Sequence, residues 1–284
     1  MSAAPKTPAA PPPHRPTRAS ALSAAWTLTI KDLKVAYSYK LSFFFGHIGV
    51  AGTLILFYFV SRVVGDSDVV GSPDEYFRFI VVGTAIAGIV ETAVGASMGA
   101  ARRDQVEGTL EAVASLPVGS ATLGLGWLLY PVIDALIGAT VTILIAIPLG
   151  MSGADPYFPS ILLTTILSIG VFTAFGFFGA ALVLAFQQGA GVVPIFLAML
   201  ALISGTLFPV EVLPPFLEQL SRLSPLTHSL DAMRGAMLDG ATVAELRDSL
   251  LILLGFAVVL LPLSVWALEL GLRRARRTGG LSRF

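Results

Sequence analysis

The amino-acid sequence predicts an all-α integral membrane protein with six transmembrane helices. Of its 284 residues, 55% are hydrophobic and only 13% are charged, a composition too apolar for a water-soluble domain. Several apolar runs approach the roughly 20 residues that a helix needs to cross a bilayer. The predicted six-span domain covers residues 41–270, with spans at 41–64, 77–98, 122–149, 161–186, 190–208 and 246–270.

The chain before the first span has two parts. Residues 1–19 are rich in proline and alanine and are predicted to be disordered. In residues 20–40, two stripes recur at helical spacing: Trp26, Ile30, Leu33 and Tyr37 on an apolar face, and Thr27, Lys31, Lys34 and Ser38 on a polar one. This pattern predicts an amphipathic helix in the membrane interface, with a plain extension of the first span as the alternative.

Positive charge is concentrated on one predicted side of the membrane. Of the 18 Lys and Arg residues, 13 lie in residues 1–40, in the loop at 102–103 and in the basic tail at 271–284. By the positive-inside rule, both termini and that loop are cytoplasmic, and the segment 204–240 faces outward. The net charge is zero, so the bulk charge says nothing about nucleic acid, and no nucleic-acid partner is expected for this membrane protein. The absence of cysteine excludes disulfides, thiol catalysis and cysteine-ligated zinc.

The segment 204–240 interrupts the apolar runs with a long insertion punctuated by proline. Pro209, Pro214 and Pro225 mark places where helices stop or start, because proline lacks an N–H and suits the first helical turn. Two short helices are therefore predicted. The second has an N-cap at Ser224 and four apolar residues at helical spacing: Leu226, Leu230, Met233 and Met237. These helices are expected to lie at the outer membrane surface or to dip into it.

Local signals mark two further helix starts and several helix contacts. Ser72 with Glu75, and Thr242 with Glu245, have the spacing of capping boxes, in which each residue satisfies a backbone N–H of the other. Within the spans, small residues at close spacing favour tight helix packing in lipid: Gly95, Gly99, Gly176, Gly179 and Ala180.

The segment 102–116 is the sizeable cytoplasmic loop between the second and third spans. Its pattern predicts a short helix with two faces: Val106, Leu110 and Val113 on one, and Glu107 and Glu111 on another. A helix of this kind is well shaped to dock into a groove on a cytoplasmic partner. A simple connector that keeps its charges in water is the alternative.

Three ionisable residues fall within predicted spans: His47, Glu91 and Asp134. Charged side chains are costly inside a bilayer, and helical rise places all three at similar depths, so they could meet in one polar patch. Such a patch could form the wall of a transport path, or a charge pair that changes between conformations. Hydrogen bonding between helices, or a water-filled vestibule around Asp134, explains the same residues equally well.

Enzymatic motifs are weak or absent. Residues 95–99 match the G-x-S-x-G pattern of serine hydrolases, but Ser97 lies in a helical stretch without the strand-to-helix elbow that such a nucleophile needs. His228 has no second histidine or cysteine spaced for metal binding, so it is interpreted as structural. The sequence also contains no G-x-x-x-x-G-K-[ST] phosphate-binding loop.

The outer segment resembles the signature of ABC-2 type transporter permeases. The matching residues run from a span end through two proline-marked helices: Ser204, Gly205, Phe208, Pro209, Leu213, Pro214, Pro225, His228, Asp231 and Arg234. Residues 106–111 are similar to the cytoplasmic coupling segment of that family. Within it, the chain looks closest to exporters of the daunorubicin-resistance and nodulation lipo-oligosaccharide kind.

The resemblance implies a permease subunit of the bacterial plasma membrane that pairs with a second copy of itself and with ATP-binding cassette subunits. Residues implied to dock the ATPase are Arg103, Val106, Glu107, Gly108, Thr109, Leu110 and Glu111. ATP and Mg would bind on the partner, and this chain would need no cofactor or metal of its own. By similarity, residues 213–238 would be re-entrant helices that close the exit for a lipophilic, lipid-linked or glycan-type substrate.

Two other functions remain open from the residues alone. A membrane-embedded hydrolase would rest on Ser97, His47 and Glu91, and a passive channel would work without ATP coupling.

Overall fold

A computed structural model describes residues 29–30, 40–66, 71–106, 119–151, 155–186 and 192–277. These parts of the chain are helical, which confirms the predicted class. The helices are α1 (Lys40–Val64), α2 (Pro73–Val106), α3 (Ser120–Ala146), α4 (Phe158–Phe186), α5 (Val192–Ile203), α6 (Pro215–Arg222), α7 (Pro225–Leu238) and α8 (Arg247–Arg277). Single 3₁₀ turns follow α3 at Ile147–Leu149 and precede α6 at Val210–Val212.

Four helices are long and apolar enough to cross a membrane: Pro73–Val106, Ser120–Leu149, Phe158–Ala185 and Arg247–Arg274. They correspond to the second, third, fourth and sixth predicted spans. In α1, the apolar stretch with described side chains is Gly49–Val64. The count of six spans therefore stays a prediction, with helices described at all six positions.

The fifth predicted span, residues 190–208, extended too far at its end. Helix α5 ends at Ile203, and its described part from Val192 onward has 12 residues and is about 18 Å long. It stops because Ser204 begins a turn in which Gly205 has a left-handed backbone with φ of 76°. Such a φ is easy for glycine and strained for other residues.

Helix α2 is longer than its predicted span. The predicted capping box starts it, since the Ser72 N–H donates to Glu75 Oε2 at 2.7 Å and the Glu75 N–H donates to Ser72 Oγ at 3.3 Å. It then runs for 34 residues to Val106, a length of about 51 Å. Residues 102–106 are thus its last turn and do not begin a separate short helix. Alanine and arginine favour helix and no proline intervenes, so nothing in the chain stops it earlier.

Helices α2 and α4 form the centre of the bundle. More than half of the apolar stretch of each is buried (56% and 61%), against 11% for α3 and 22% for α8, so α3 and α8 face outward. Gly176 allows the close approach that the sequence predicted, since an added Cβ there would lie 2.6 Å from the Ala93 carbonyl oxygen. Gly271, which was not among the predicted residues, makes a similar contact, with an added Cβ 2.9 Å from the Ala181 carbonyl oxygen. Gly95, by contrast, has no neighbour within 4 Å of its added Cβ and is free of such contacts in the described part of the chain.

Candidate functional site: a helical cap and an apolar cavity

Residues Ser204–Gly240, here called the cap, fold as two short helices, α6 and α7, as predicted. The Leu226 N–H donates to Ser224 Oγ at 3.2 Å, which confirms the N-cap. The apolar stripe of α7 faces the bundle, and its four members are at most 8% exposed: Leu226, Leu230, Met233 and Met237. Burying about four large apolar side chains, each contributing roughly 1.5–3 kcal/mol, is what holds α7 against the spans.

The corner between α6 and α7 is fixed by side-chain hydrogen bonds. The His228 Nε2–H donates to the carbonyl oxygen of Arg222 at 3.0 Å. Ser221 and Thr227 hydroxyls are also hydrogen-bonded at 3.0 Å. His228 therefore has the structural role that the sequence indicated, because it satisfies a carbonyl at the end of α6.

Arg234 on α7 joins the cap to two other parts of the bundle. Its Nη2 donates to the carbonyl oxygens of Gly205 at 2.9 Å and Thr206 at 3.2 Å, and to that of Phe79 at 3.4 Å. The guanidinium also lies over the Phe79 ring, 3.4 Å from its centroid. Burial lowers the pKa of Arg234 to about 10, so the side chain still carries its charge at neutral pH. One side chain thus links α7, the end of α5 and the start of α2.

Two further features make this junction close-fitting. The buried hydroxyls of Ser204 and Ser224 are 2.7 Å apart and hydrogen-bonded, which ties the end of α5 to the start of α7. Gly83 on α2 lies against the Thr206 carbonyl, and an added Cβ there would overlap that oxygen and lie 3.0 Å from Arg234 Nη2. A glycine is therefore required at position 83 for the cap to sit this close to α2.

The cap is also attached to the start of α4. The Tyr157 N–H donates to the Ala236 carbonyl of the cap at 2.8 Å, and Ser160 Oγ donates to the carbonyl of Ala241, the residue directly after the cap, at 2.8 Å. The beginnings of α2 and α4 and the whole cap therefore share one end of the bundle. This is the end that the charge distribution predicts to face outward.

The remaining signature residues of the cap connect its helices. Pro209 precedes the 3₁₀ turn, Leu213 ends it and Pro214 precedes α6. Phe208 is half-buried in the same connection, and Asp231 is exposed one turn before Arg234. These residues shape the path of the chain, whereas Ser204, Gly205 and Arg234 make the contacts that hold it.

A cavity of about 620 Å³ runs along α2 between that helix and α5. Leu226 of the cap lines one end, and Arg102 and Arg103 line the other. The lining of α2 extends from Ala87 to Arg103, which is about 24 Å of helix. Its walls are apolar apart from Glu91 and the two arginines, so the cavity offers an amphipathic path from the loop end of α2 to the underside of the cap.

The three ionisable residues predicted within spans are placed differently. The side chain of Glu91 is exposed and lines the cavity. Asp134 is half-buried on α3 and is not among the lining residues. His47 lies on α1, and its side chain is outside the described residues. Their meeting in one polar patch therefore stays a prediction.

The residues predicted to dock an ATPase are described only in part. Arg103 and Val106 are exposed in the last turn of α2. The others lie outside the described residues: Glu107, Gly108, Thr109, Leu110 and Glu111.

The geometry around Ser97 gives little support for a hydrolase site, and the described residues give little support for a metal site. Ser97 is 0% exposed, and its Oγ has no hydrogen-bond partner in the described part of the chain, so it has neither an activating base nor access to a substrate. Within the described ranges, no group of three His, Asp or Glu residues could hold a metal ion.

Sequence reasoning missed the partners of Arg234. Phe79 and Gly83 lie far from it along the chain, and neither carries a local signal of this contact. The cavity role of Arg102 was also missed, because its position beside a predicted loop is explained by the positive-inside rule alone.

Comparison with known proteins identifies the family. The model for the ABC-2 type transporter matches residues 23–238, most of the chain. This chain belongs to the ABC-2 type transporter family. It is also 32% identical over 174 residues to nodulation protein J of Sinorhizobium fredii (strain NBRC 101917 / NGR234). That match covers 59% of this chain and 63% of the relative, so the chain spans less than two thirds of that protein.

The ABC-2 match contains both features of the site. It extends over α2, which carries the cavity, and ends at Leu238, the last residue of α7. As an ABC-2 permease, the chain is a membrane-embedded component of a transporter.

Proposed function

We propose that this chain is the permease subunit of an ATP-driven exporter in the bacterial plasma membrane, moving a lipophilic, lipid-linked or glycan-type molecule out of the cytoplasm. The observation that carries the proposal is the cavity along α2, which begins at Arg102 and Arg103 and ends beneath the cap at Leu226. A path of this shape connects the loop end of α2 to the cap, which covers its other end. The cap is then the gate at the exit.

ATP is hydrolysed by a separate chain in this proposal, because the sequence has no phosphate-binding loop. The ATP-binding subunit docks on residues 102–116. Movement there reaches the cap through α2, which is unbroken between Val106 and Phe79, a distance of about 40 Å. Phe79 is one of the groups that Arg234 holds, so a shift of α2 changes the contacts of the cap.

A second copy of the chain completes the path. The lining residues Glu91 and Ala198 are exposed, and a homodimer would cover them, with membrane lipid around the outward faces of α3 and α8. Both termini lie in the cytoplasm in this arrangement, consistent with the distribution of Lys and Arg.

Docking is tested by charge reversal in the proposed docking segment. The variant E107K/E111K and the control D66K are purified from the native membrane, Asp66 being an exposed residue at the other end of the bundle. The wild type and the control are expected to retain a P-loop ATPase partner, while the double variant loses it but stays folded and inserted. Full retention of the ATPase by the double variant would refute the docking role.

A further inference from the structure

Glu91 stands alone in the middle of the longest helix. It is the single charged residue between Arg78 and Arg102, 13 residues after the first and 11 before the second. At the rise of an α-helix, these separations are about 20 Å and about 16 Å. With Arg78 and Arg102 near the two membrane surfaces, Glu91 lies close to the bilayer centre.

The carboxylate of Glu91 has no partner among the described residues. Its side chain forms no hydrogen bond or ion pair there, and it is exposed into the cavity. The neighbouring lining residues are apolar, including Val90, Leu197 and Leu200. Arg102 and Arg103 line the same cavity but lie about 16–18 Å away along the axis, beyond the reach of a direct ion pair.

The cavity is lined by positive charge at Arg102 and Arg103 and by negative charge at Glu91. Arginines at the cytoplasmic end of a span stay hydrated and follow the positive-inside rule, so they indicate no ligand. A carboxylate near the bilayer centre is costly unless something compensates its charge. The volume of about 620 Å³ is in the range of small-molecule sites, and the apolar walls suit a hydrocarbon portion.

We propose that the cavity is a binding site for a cationic amphiphile, with the positive nitrogen of the ligand against the Glu91 carboxylate and its apolar part along α5. Glu91 is then a residue that determines which charge the exporter accepts. The inference rests on the proposed transport function, since the cavity is the path for the transported molecule. The two arginines lie about 16–18 Å from Glu91 along the helix, so their effect there is weaker than that of a ligand nitrogen in direct contact with the carboxylate.

A cysteine-protection experiment tests the proposal. Because the chain contains no cysteine, A198C places one thiol in the cavity wall, where Ala198 is exposed. The full chain with its ATP-binding partner is placed in phosphatidylcholine nanodiscs, and the maleimide reaction rate is measured with three probes of equal chain length. These are dodecyltrimethylammonium, dodecanol and dodecyl sulfate.

The ammonium probe is expected to protect the thiol at about tenfold lower concentration than dodecanol, because it adds one charge pair in a partly dry site. E91Q should remove that preference while leaving dodecanol unaffected, and the control D66N, at an exposed acidic residue outside the cap and the cavity, should retain it. E91Q is expected to fold at least as well as the wild type, since it removes an uncompensated charge.

Three results would overturn the proposal: equal protection by the ammonium and the alcohol, an ammonium preference that survives in E91Q, or strongest protection by dodecyl sulfate. The last would assign the site to the arginine end of the cavity. Failure of the transport function is distinguishable, because it appears as absence of the ATPase partner, and thiol protection can then still be measured on the chain alone.

Discussion

Replacing Gly83 with alanine should loosen the cap from α2. The added Cβ would overlap the Thr206 carbonyl oxygen and lie 3.0 Å from Arg234 Nη2. Neither neighbour is the free end of a flexible side chain, since one is backbone and the other is held by carbonyl groups. The cap must therefore move outward, which weakens the hydrogen bonds from Arg234 to Gly205 and Thr206.

The size of the effect follows from that overlap. Overpacking typically costs about 1–3 kcal/mol, and loss of one hydrogen bond to a charged group costs about 1.5–3 kcal/mol. Replacing glycine with alanine also stabilises a helix by about 1 kcal/mol through helix propensity. The control G88A on the same helix has the same gain, so this contribution cancels in the comparison. Gly88 is exposed and has no neighbour within 4 Å of an added Cβ, so the difference between the two variants isolates the overlap.

Opening of the cap can be measured with a single buried thiol. Met233, on the bundle-facing side of the cap helix α7, is 3% exposed, so in M233C a maleimide reacts only when the cap opens. A destabilisation of about 1–3 kcal/mol corresponds to a rate about 5- to 140-fold faster in G83A than in G88A. Equal rates in the two alanine variants would show that the close contact between α2 and the cap does not stabilise the closed position of the cap.

Two further predictions concern other contacts. G176A should lower the free energy of unfolding by about 1–3 kcal/mol in thermal or denaturant unfolding, because its Cβ would lie 2.6 Å from the Ala93 carbonyl oxygen. The control G255A, whose added Cβ would have no neighbour within 4 Å, should not lower it. A G176A variant as stable as the wild type would contradict the packing of α4 on α2. The N–H and hydroxyl of Thr242 donate to the Glu245 carboxylate and hold its pKa below the usual value. These hydrogen bonds therefore stabilise the folded protein at pH values above the pKa that Glu245 has in the unfolded chain. Their contribution is lost as the pH falls through the pKa of Glu245 in the folded protein. E245Q should reduce the pH dependence of the free energy of unfolding in that pH range. An unchanged pH dependence would show that the hydrogen bonds between Thr242 and Glu245 do not cause it.

Local patterns predicted much of the fold. Hydropathy found the four long apolar helices, and the Ser72–Glu75 pair marked the start of α2 through two hydrogen bonds that depend on neighbouring residues alone. The stripe and N-cap of α7 were predicted for the same reason, since helical spacing decides which side chains share a face.

Contacts between distant residues could not be predicted in this way. The end of α5 at Ile203 depends on the hydrogen bond between Ser204 and Ser224 and on the carbonyl groups that Arg234 binds. Apolar residues continue past Ile203 in the sequence, so hydropathy alone extended the span. Likewise, α2 runs on to Val106 because charged residues end an apolar run without ending a helix.

The central claim is that the cap must move away from the spans during each transport cycle. The variant S204C/S224C tests it directly, because the native hydroxyl oxygens are 2.7 Å apart and the chain has no other cysteine. A disulfide has an S–S distance of about 2.0 Å, so oxidation should join the end of α5 to the start of α7.

The measurement is the ATPase activity of the reconstituted complex before and after oxidation, with each single-cysteine variant as a control. The cross-linked complex should keep its ATP-binding partner but lose turnover, and reduction should restore it. Unchanged turnover with the cross-link complete would show that the cap stays in place while the transporter works, and would contradict its role as a gate.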